Sequence, residues 1–271
     1  MSRAIVNTLR RSLPALLLFS ASSFVNSVSA TTIVVARTAN EIVIGADSKV
    51  TDALGNDLKK PRCKIAQVGN LFLAFEGFET DRRTGFNVQA VAVQALRLEA
   101  NATAAEKVGI LTGALVSKLF DELPIVQRYE PDTYEIKFAG GRVFLRLIVA
   151  TFERGRPLIF VRDFRAVQAG PDRIGITVLP DDCLANCQGE VVTRFLGETA
   201  AIEGLPEETP GFWQQGLIAG VRSLIETQIA ARSEYVGPPI DILRISPKGA
   251  EWAQRKAECA PIQKRAKGPR R

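Results

Sequence analysis

The 271-residue chain contains no histidine, and that absence excludes more chemistry than any residue present can suggest. It removes Ser-His-Asp and Cys-His nucleophile machinery, imidazole metal sites and the general base that enzymes use most often. Acid–base work is left to Asp, Glu, Lys, Tyr, Cys or a free α-amine. Of these, only the α-amine, with an unperturbed pKa of about 8, titrates near neutrality unaided. No internal repeat or linker interrupts the sequence, and no segment after residue 30 offers the ~20 apolar residues a membrane helix needs. At 46% apolar and 24% charged residues, the composition is that of an ordinary globular protein with a sizeable core.

What is present begins with a segment that reads as removable. Arg3, Arg10 and Arg11 precede an apolar centre at 13–19 and the small residues Ser27, Val28, Ser29 and Ala30, the three-part layout of a secretory signal. An uncleaved N-terminal anchor is the competing reading. Cleavage after Ala30 makes Thr31 the first residue of an exported protein, periplasmic or extracellular. The formal charge of +6 is concentrated at the ends, since eight basic residues from Lys248 onward face only Glu251 and Glu258. The body between is mildly acidic and the tail basic. We therefore expect a signal at 1–30, one domain at 31–256 and a disordered basic tail at 257–271.

Export places Cys63, Cys183, Cys187 and Cys259 in an oxidising compartment, where an even count permits two disulfides in three connectivities. Cys183 and Cys187 are close enough to pair locally, which would leave Cys63 with Cys259. An all-thiolate zinc site is the weaker alternative for this spacing. No cofactor or metal is expected.

The β-branched runs 31–38 and 41–48 around Ala39-Asn40 read as a hairpin. A polar loop at 51–61 leads to strands at 63–68 and 71–75. Helical spacing at 80–100, with Thr80 or Asp81 as cap, and at 104–123 predicts two helices. Strands follow at 143–152, 157–164, 166–169 and 173–179. Two further helices are predicted at 191–202 and 210–232, then a strand at 239–246 with a hairpin extension at 249–254. Strand groups alternating with helix pairs predict an α+β fold, a four-layer αββα sandwich of two antiparallel sheets covered by helix pairs.

The first hairpin returns Asp47 towards the start of the first strand, and the following strands are expected to bring Lys64 into the same sheet, beside Thr31. Thr31 at a mature N-terminus carries both a nucleophilic hydroxyl and an α-amine able to take its proton. A lysine fixed next to Asp47 would favour the alkoxide-like hydroxyl and keep the amine neutral. Taken singly, Asp47 could cap a turn and Lys64 could guard a strand edge. Lys49, Lys59 and Lys60 are rival lysines. The coincidence of Thr31 with the cleavage site, Asp47 and Lys64 favours the catalytic reading.

The segments TTIVVA, EIVIGADSK and KIAQVGNLFLAFEG resemble the start of proteasome β-subunits and of the related bacterial ATP-dependent threonine peptidase, members of the N-terminal nucleophile hydrolase superfamily. The detailed likeness covers about residues 31–81, and the order of elements extends it loosely to 246. It implies Thr31 as nucleophile, Asp47 and Lys64 as its supports, the latter one residue later than usual, and Gly77 as an oxyanion donor through its N–H. Gly77 read alone serves a tight turn. The sequence departs from the family further on. Glu198 stands where a helper serine is expected, and Ser233-Glu234-Tyr235-Val236-Gly237 lacks the expected aspartate and serine, unless Glu234 substitutes.

The expected activity is hydrolysis of a peptide or other small amide by Thr31, with an inactive precursor. Export argues against an ATP-driven unfolding partner. A homo-oligomer is compatible with the resemblance, and neither a nucleic-acid partner nor a membrane span after signal cleavage is expected. The altered downstream segments motivate the alternative of a catalytically weak or inactive secreted binding protein on the same scaffold.

Overall fold

The computed structural model describes residues 31–50, 62–97, 99, 101–170, 173–184, 187 and 189–259. The segment expected as a signal at 1–30, the expected polar loop at 51–61 and residues 260–271 of the expected tail at 257–271 lie outside the described residues, while 257–259 are described and Cys259 is buried in a disulfide with Cys63. Within them the chain is α+β. It forms β1 (Thr32–Arg37), β2 (Ile42–Ala46), β3 (Ile65–Val68), β4 (Leu71–Gly77), β5 (Thr80–Asp81), β6 (Phe86–Asn87), α1 (Val88–Leu96), α2 (Ala104–Tyr129), α3 (Pro131–Lys137), β7 (Val143–Glu153), β8 (Arg156–Gly170) and β9 (Arg173–Pro180). It continues with β10 (Val192–Gly197), α4 (Leu205–Glu208), α5 (Leu217–Ala231), β11 (Asp241–Ser246) and β12 (Gly249–Gln254).

Two five-stranded antiparallel sheets result, ordered β10-β1-β2-β11-β12 and β3-β4-β7-β8-β9, with β5 and β6 as a small separate pair. Every residue of β1 and β2 is buried, which explains their continuous rather than alternating apolar character. Ile33, Val35, Ile42 and Ile44 join a cluster with Ile65, Phe72, Ile148 and Ile159 of the second sheet. Val34, Ala36 and Val43, one residue out of phase, pack instead with Val221, Leu224 and Ile225 of α5. A third cluster joins the other face of the second sheet, Leu73, Leu145, Leu147 and Phe160, to Leu111, Leu115 and Leu119 of α2.

Several sequence expectations are corrected. Residues 191–202 do not form a helix. Val192 and Leu196 face the cluster shared by the two sheets while Val191 and Phe195 face the α5 cluster, a period of two that makes β10 a strand on the free side of β1. The helix expected from residue 80 starts at Val88, capped by the Asn87 side chain, which accepts from the Ala90 N–H at 2.8 Å. Asp81 is engaged earlier, by Arg83 across the turn between β5 and β6. The next helix runs beyond residue 123 and through Pro124. A capping box between Thr103 and Glu106 fixes its start, and Leu123 and Val126 continue its buried face, so packing outweighs the proline penalty. The expected helix at 210–232 begins only at Leu217, because Gly211 and Gly216 sit at φ 73° and 86° and break the run. The first sheet therefore has one long helix against it rather than a pair.

Candidate active site at the head of the first strand

One row of residues crosses the first sheet, Leu196–Ile33–Ala46–Asp241. The residues just outside that row, Glu198, Thr31 and Asp47, therefore share one end of the sheet. Thr31 is 8% exposed. Its carbonyl accepts the Glu198 N–H at 2.7 Å, and the Thr32 hydroxyl donates to the Glu198 carbonyl at 2.6 Å. This close approach requires Gly197. Its φ is +82°, and a Cβ there would lie 1.8 Å from the Thr31 carbonyl oxygen.

Asp47 is wholly buried and filled with donors. Oδ1 accepts from the Thr32 N–H at 2.8 Å and from Lys64 Nζ at 2.6 Å. Oδ2 accepts from the N–H groups of Lys49 at 3.0 Å and Gly237 at 3.1 Å. One carboxylate thus ties the residue next to Thr31, the end of β2, the approach to β3 and the segment before β11. Lys64 was expected on the same sheet as Thr31. It comes instead from the chain entering β3, an edge strand of the second sheet, and reaches Asp47 across the space between the sheets.

Burial, with 3% of Lys64 exposed, pulls its pKa below that of an ordinary lysine. The Asp47 carboxylate pulls the other way, through its charge and its hydrogen bond, and Glu79 adds to that pull. Lys256 repels and lowers it further. Lys64 is thus held nearer to neutrality than a surface lysine. Glu79, whose side chain is 13% exposed, pairs with Arg62 at 3.3 Å. Burial raises its pKa despite Arg62 and Lys64.

Gly77 ends β4 at φ +99°, where a Cβ would meet the Phe144 carbonyl oxygen at 2.2 Å. It joins the site through its neighbour Glu76, whose Cγ lies 3.4 Å from the position a Cβ would take on Gly197. The structure thus joins Asp47 and Lys64 by a hydrogen bond and ties Asp47 to Thr32, the residue after Thr31, while Thr31 itself bonds Glu198 and Gly77 lies beyond Glu76.

The two segments that depart from the expected motif also meet here. Arg232 pairs with Glu198 at 3.3 Å and with Glu234 at 2.8 Å, and lies 4.8 Å from the centre of the Tyr235 ring. A cation between two carboxylates stands where hydroxyl groups were expected. Sequence reasoning missed Arg232 and a second buried ion pair, Lys256–Asp241 at 3.0 Å. No motif spacing marks either of them.

Against this geometry the sequence can be compared with known proteins. No family model and no curated protein matches it. All four cysteines are in disulfides, Cys63–Cys259 and Cys183–Cys187, so no thiolate remains for zinc. Among the described residues no cluster of three or more Cys, Asp or Glu side chains is arranged to hold a metal. Among the same residues no helix is long and apolar enough to cross a membrane.

Proposed function

We propose that the chain is an exported N-terminal nucleophile hydrolase that cleaves a peptide or other amide bond with Thr31 as nucleophile. The observation that carries the reading is the Asp47 carboxylate, whose one oxygen binds both the Thr32 N–H and Lys64 Nζ. It links a buried lysine to Thr32, the residue that follows Thr31. After cleavage at Ala30 the Thr31 α-amine takes the hydroxyl proton and Oγ attacks the substrate carbonyl; the ammonium then returns the proton to the departing amine as the amide C–N bond breaks, leaving an ester on Thr31 that water, deprotonated by the same amine, cleaves to the acid. Lys64 stabilises the developing oxygen charge, and the Gly77 N–H supports the oxyanion. The layering that goes with this reading is helices, sheet, sheet, helices, which the three apolar clusters support. The two disulfides fit an oxidising destination.

An epoxyketone tests the proposal, because its adduct with an N-terminal threonine consumes both groups at once. The hydroxyl adds to the ketone and the amine opens the epoxide, closing a six-membered ring. Mass spectrometry of the exported protein should find Thr31 at the N-terminus and one such adduct on it, absent from Thr31→Ala. A mature N-terminus elsewhere, or an exposed Thr31 that resists the reagent, sinks the reading. The second of these outcomes selects a binding protein without turnover, the reading favoured by the Glu198–Arg232–Glu234 cluster.

A further inference from the structure

The chain leaving β12 returns to the site. Lys256 is 4% exposed. Its Nζ lies 3.0 Å from Asp241 Oδ2 and donates to the Arg62 carbonyl at 2.5 Å. Its own N–H donates to Asp241 Oδ1 at 2.8 Å. Asp241 is fully buried and pairs in register with Ala46, the residue before Asp47. Three residues on from Lys256, Cys259 is bonded to Cys63 with the Cα atoms 5.6 Å apart. Arg62 and Cys63, the two residues immediately before Lys64, are therefore held from one segment, the first by a hydrogen bond to its carbonyl and the second covalently. The 256–259 segment contributes to none of the three apolar clusters, so its buried lysine is not explained by core packing.

We propose that residues 256–259 are a positioning clasp for Lys64, in which Lys256, seated on Asp241, fixes the approach of Lys64 to Asp47 and so sets the reactivity of Thr31. The inference rests on the hydrolase reading. Lys256 acts through Lys64 and is a positioning residue. The charged groups facing Lys64 are Asp47 from the end of β2, Glu79 from beyond β4 and Lys256 from beyond β12, while Arg62 on its own segment is paired with Glu79. Without the Lys256 charge, one repulsion is lost and the Lys64 ammonium becomes easier to form. Without the seat, the ammonium is no longer held in register, and small misplacements at a reacting centre are costly.

The experiment compares the mature wild-type protein with Lys256→Gln, which keeps a donor but removes the charge, and with Cys63→Ala/Cys259→Ala, which releases the covalent anchor and keeps the charge. The Lys64 titration is followed by carbon NMR at Cε, assigned by its loss in Lys64→Met, and Thr31 modification by an epoxyketone is followed against pH. The Lys64 midpoint should rise in Lys256→Gln, with the pH profile of modification moving with it. The maximal rate should fall about tenfold in both variants. A folded variant of either kind with the wild-type titration and the wild-type rate overturns the clasp. If no protein, wild type included, is modified at Thr31, the hydrolase reading falls. The Lys64 midpoint in Lys256→Gln then decides the clasp alone, an upward shift upholding it and a wild-type value rejecting it.

Discussion

Asp47 accepts four hydrogen bonds from three backbone N–H groups and one ammonium, and an amide in its place cannot. Asp47→Asn keeps the shape but turns an acceptor into a donor against N–H groups already pointing at it, and leaves Lys64 buried without its counter-charge. The expected cost is about 3–5 kcal/mol, read as a lower urea midpoint, together with loss of Thr31 modification. Glu79 gives a pH-dependent signal. Its folded pKa lies above the ordinary 4.5, so the folded state binds its proton more tightly than the unfolded one. That contribution is complete below about 4.5 and is lost as pH rises through the raised value. Denaturation midpoints should therefore move in favour of Glu79→Gln relative to wild type as pH increases from 4 towards neutrality, and a difference that does not vary with pH would contradict the assignment. The place of Asp47 at the head of β1 was legible in the sequence because a short hairpin fixes it, whereas Lys64 was expected in the first sheet and comes from the chain entering β3 of the second. Lys256 and Asp241 were not legible, since a disulfide of sequence separation 196 brings the former to Lys64 and nothing local records that contact.

At the scale of elements, β10 matters most to the site because it ends at Gly197 and delivers Glu198, the next residue, to Thr31. A methyl group on Gly197 would collide with the Thr31 carbonyl at a backbone angle that L-residues avoid. Gly197→Ala is expected to lose at least about 2 kcal/mol and to slow Thr31 modification, because β10 cannot recede without releasing the Glu198 N–H from Thr31. Urea unfolding and the adduct rate on one preparation check both effects. The sequence reading failed on this same element. The strand β7 was legible from its long apolar run after the glycine turn, while β8 joins into one strand the two expected at 157–164 and 166–169, because Arg165 continues the pairing with β7 and β9. Residues 191–202 carry apolar groups on both sides of the chain, which resembles helical spacing when the two opposing clusters are unknown. The hairpin of β5 and β6 was hidden for a different reason, because Asp81 looks like a helix cap until Arg83 is seen to claim it.

At the scale of the whole molecule, the two disulfides differ in the amount of chain they enclose. Cys63–Cys259 closes a separation of 196 residues and Cys183–Cys187 one of 4. Loop-closure entropy then predicts that removing the first costs about 5 kcal/mol and the second about 2 kcal/mol. Paired alanine variants, compared by their denaturant midpoints, should keep that order, and equal losses would assign the stabilisation to local contacts instead. The position of β1 imposes a sequence of events as well as a geometry. It lies between β10 and β2 and is covered on both faces, so the residues that follow Thr31 enter the interior of a sheet almost at once. A peptidase needs several extended residues on both sides of the bond it cuts, and those after Ala30 are bonded on both flanks once the sheet has formed. On the proposed reading, a cut after Ala30 therefore has to come before the fold. On the same reading, a precursor that folds before the cut keeps the Thr31 nitrogen as an amide inside a formed sheet, a zymogen with no exit.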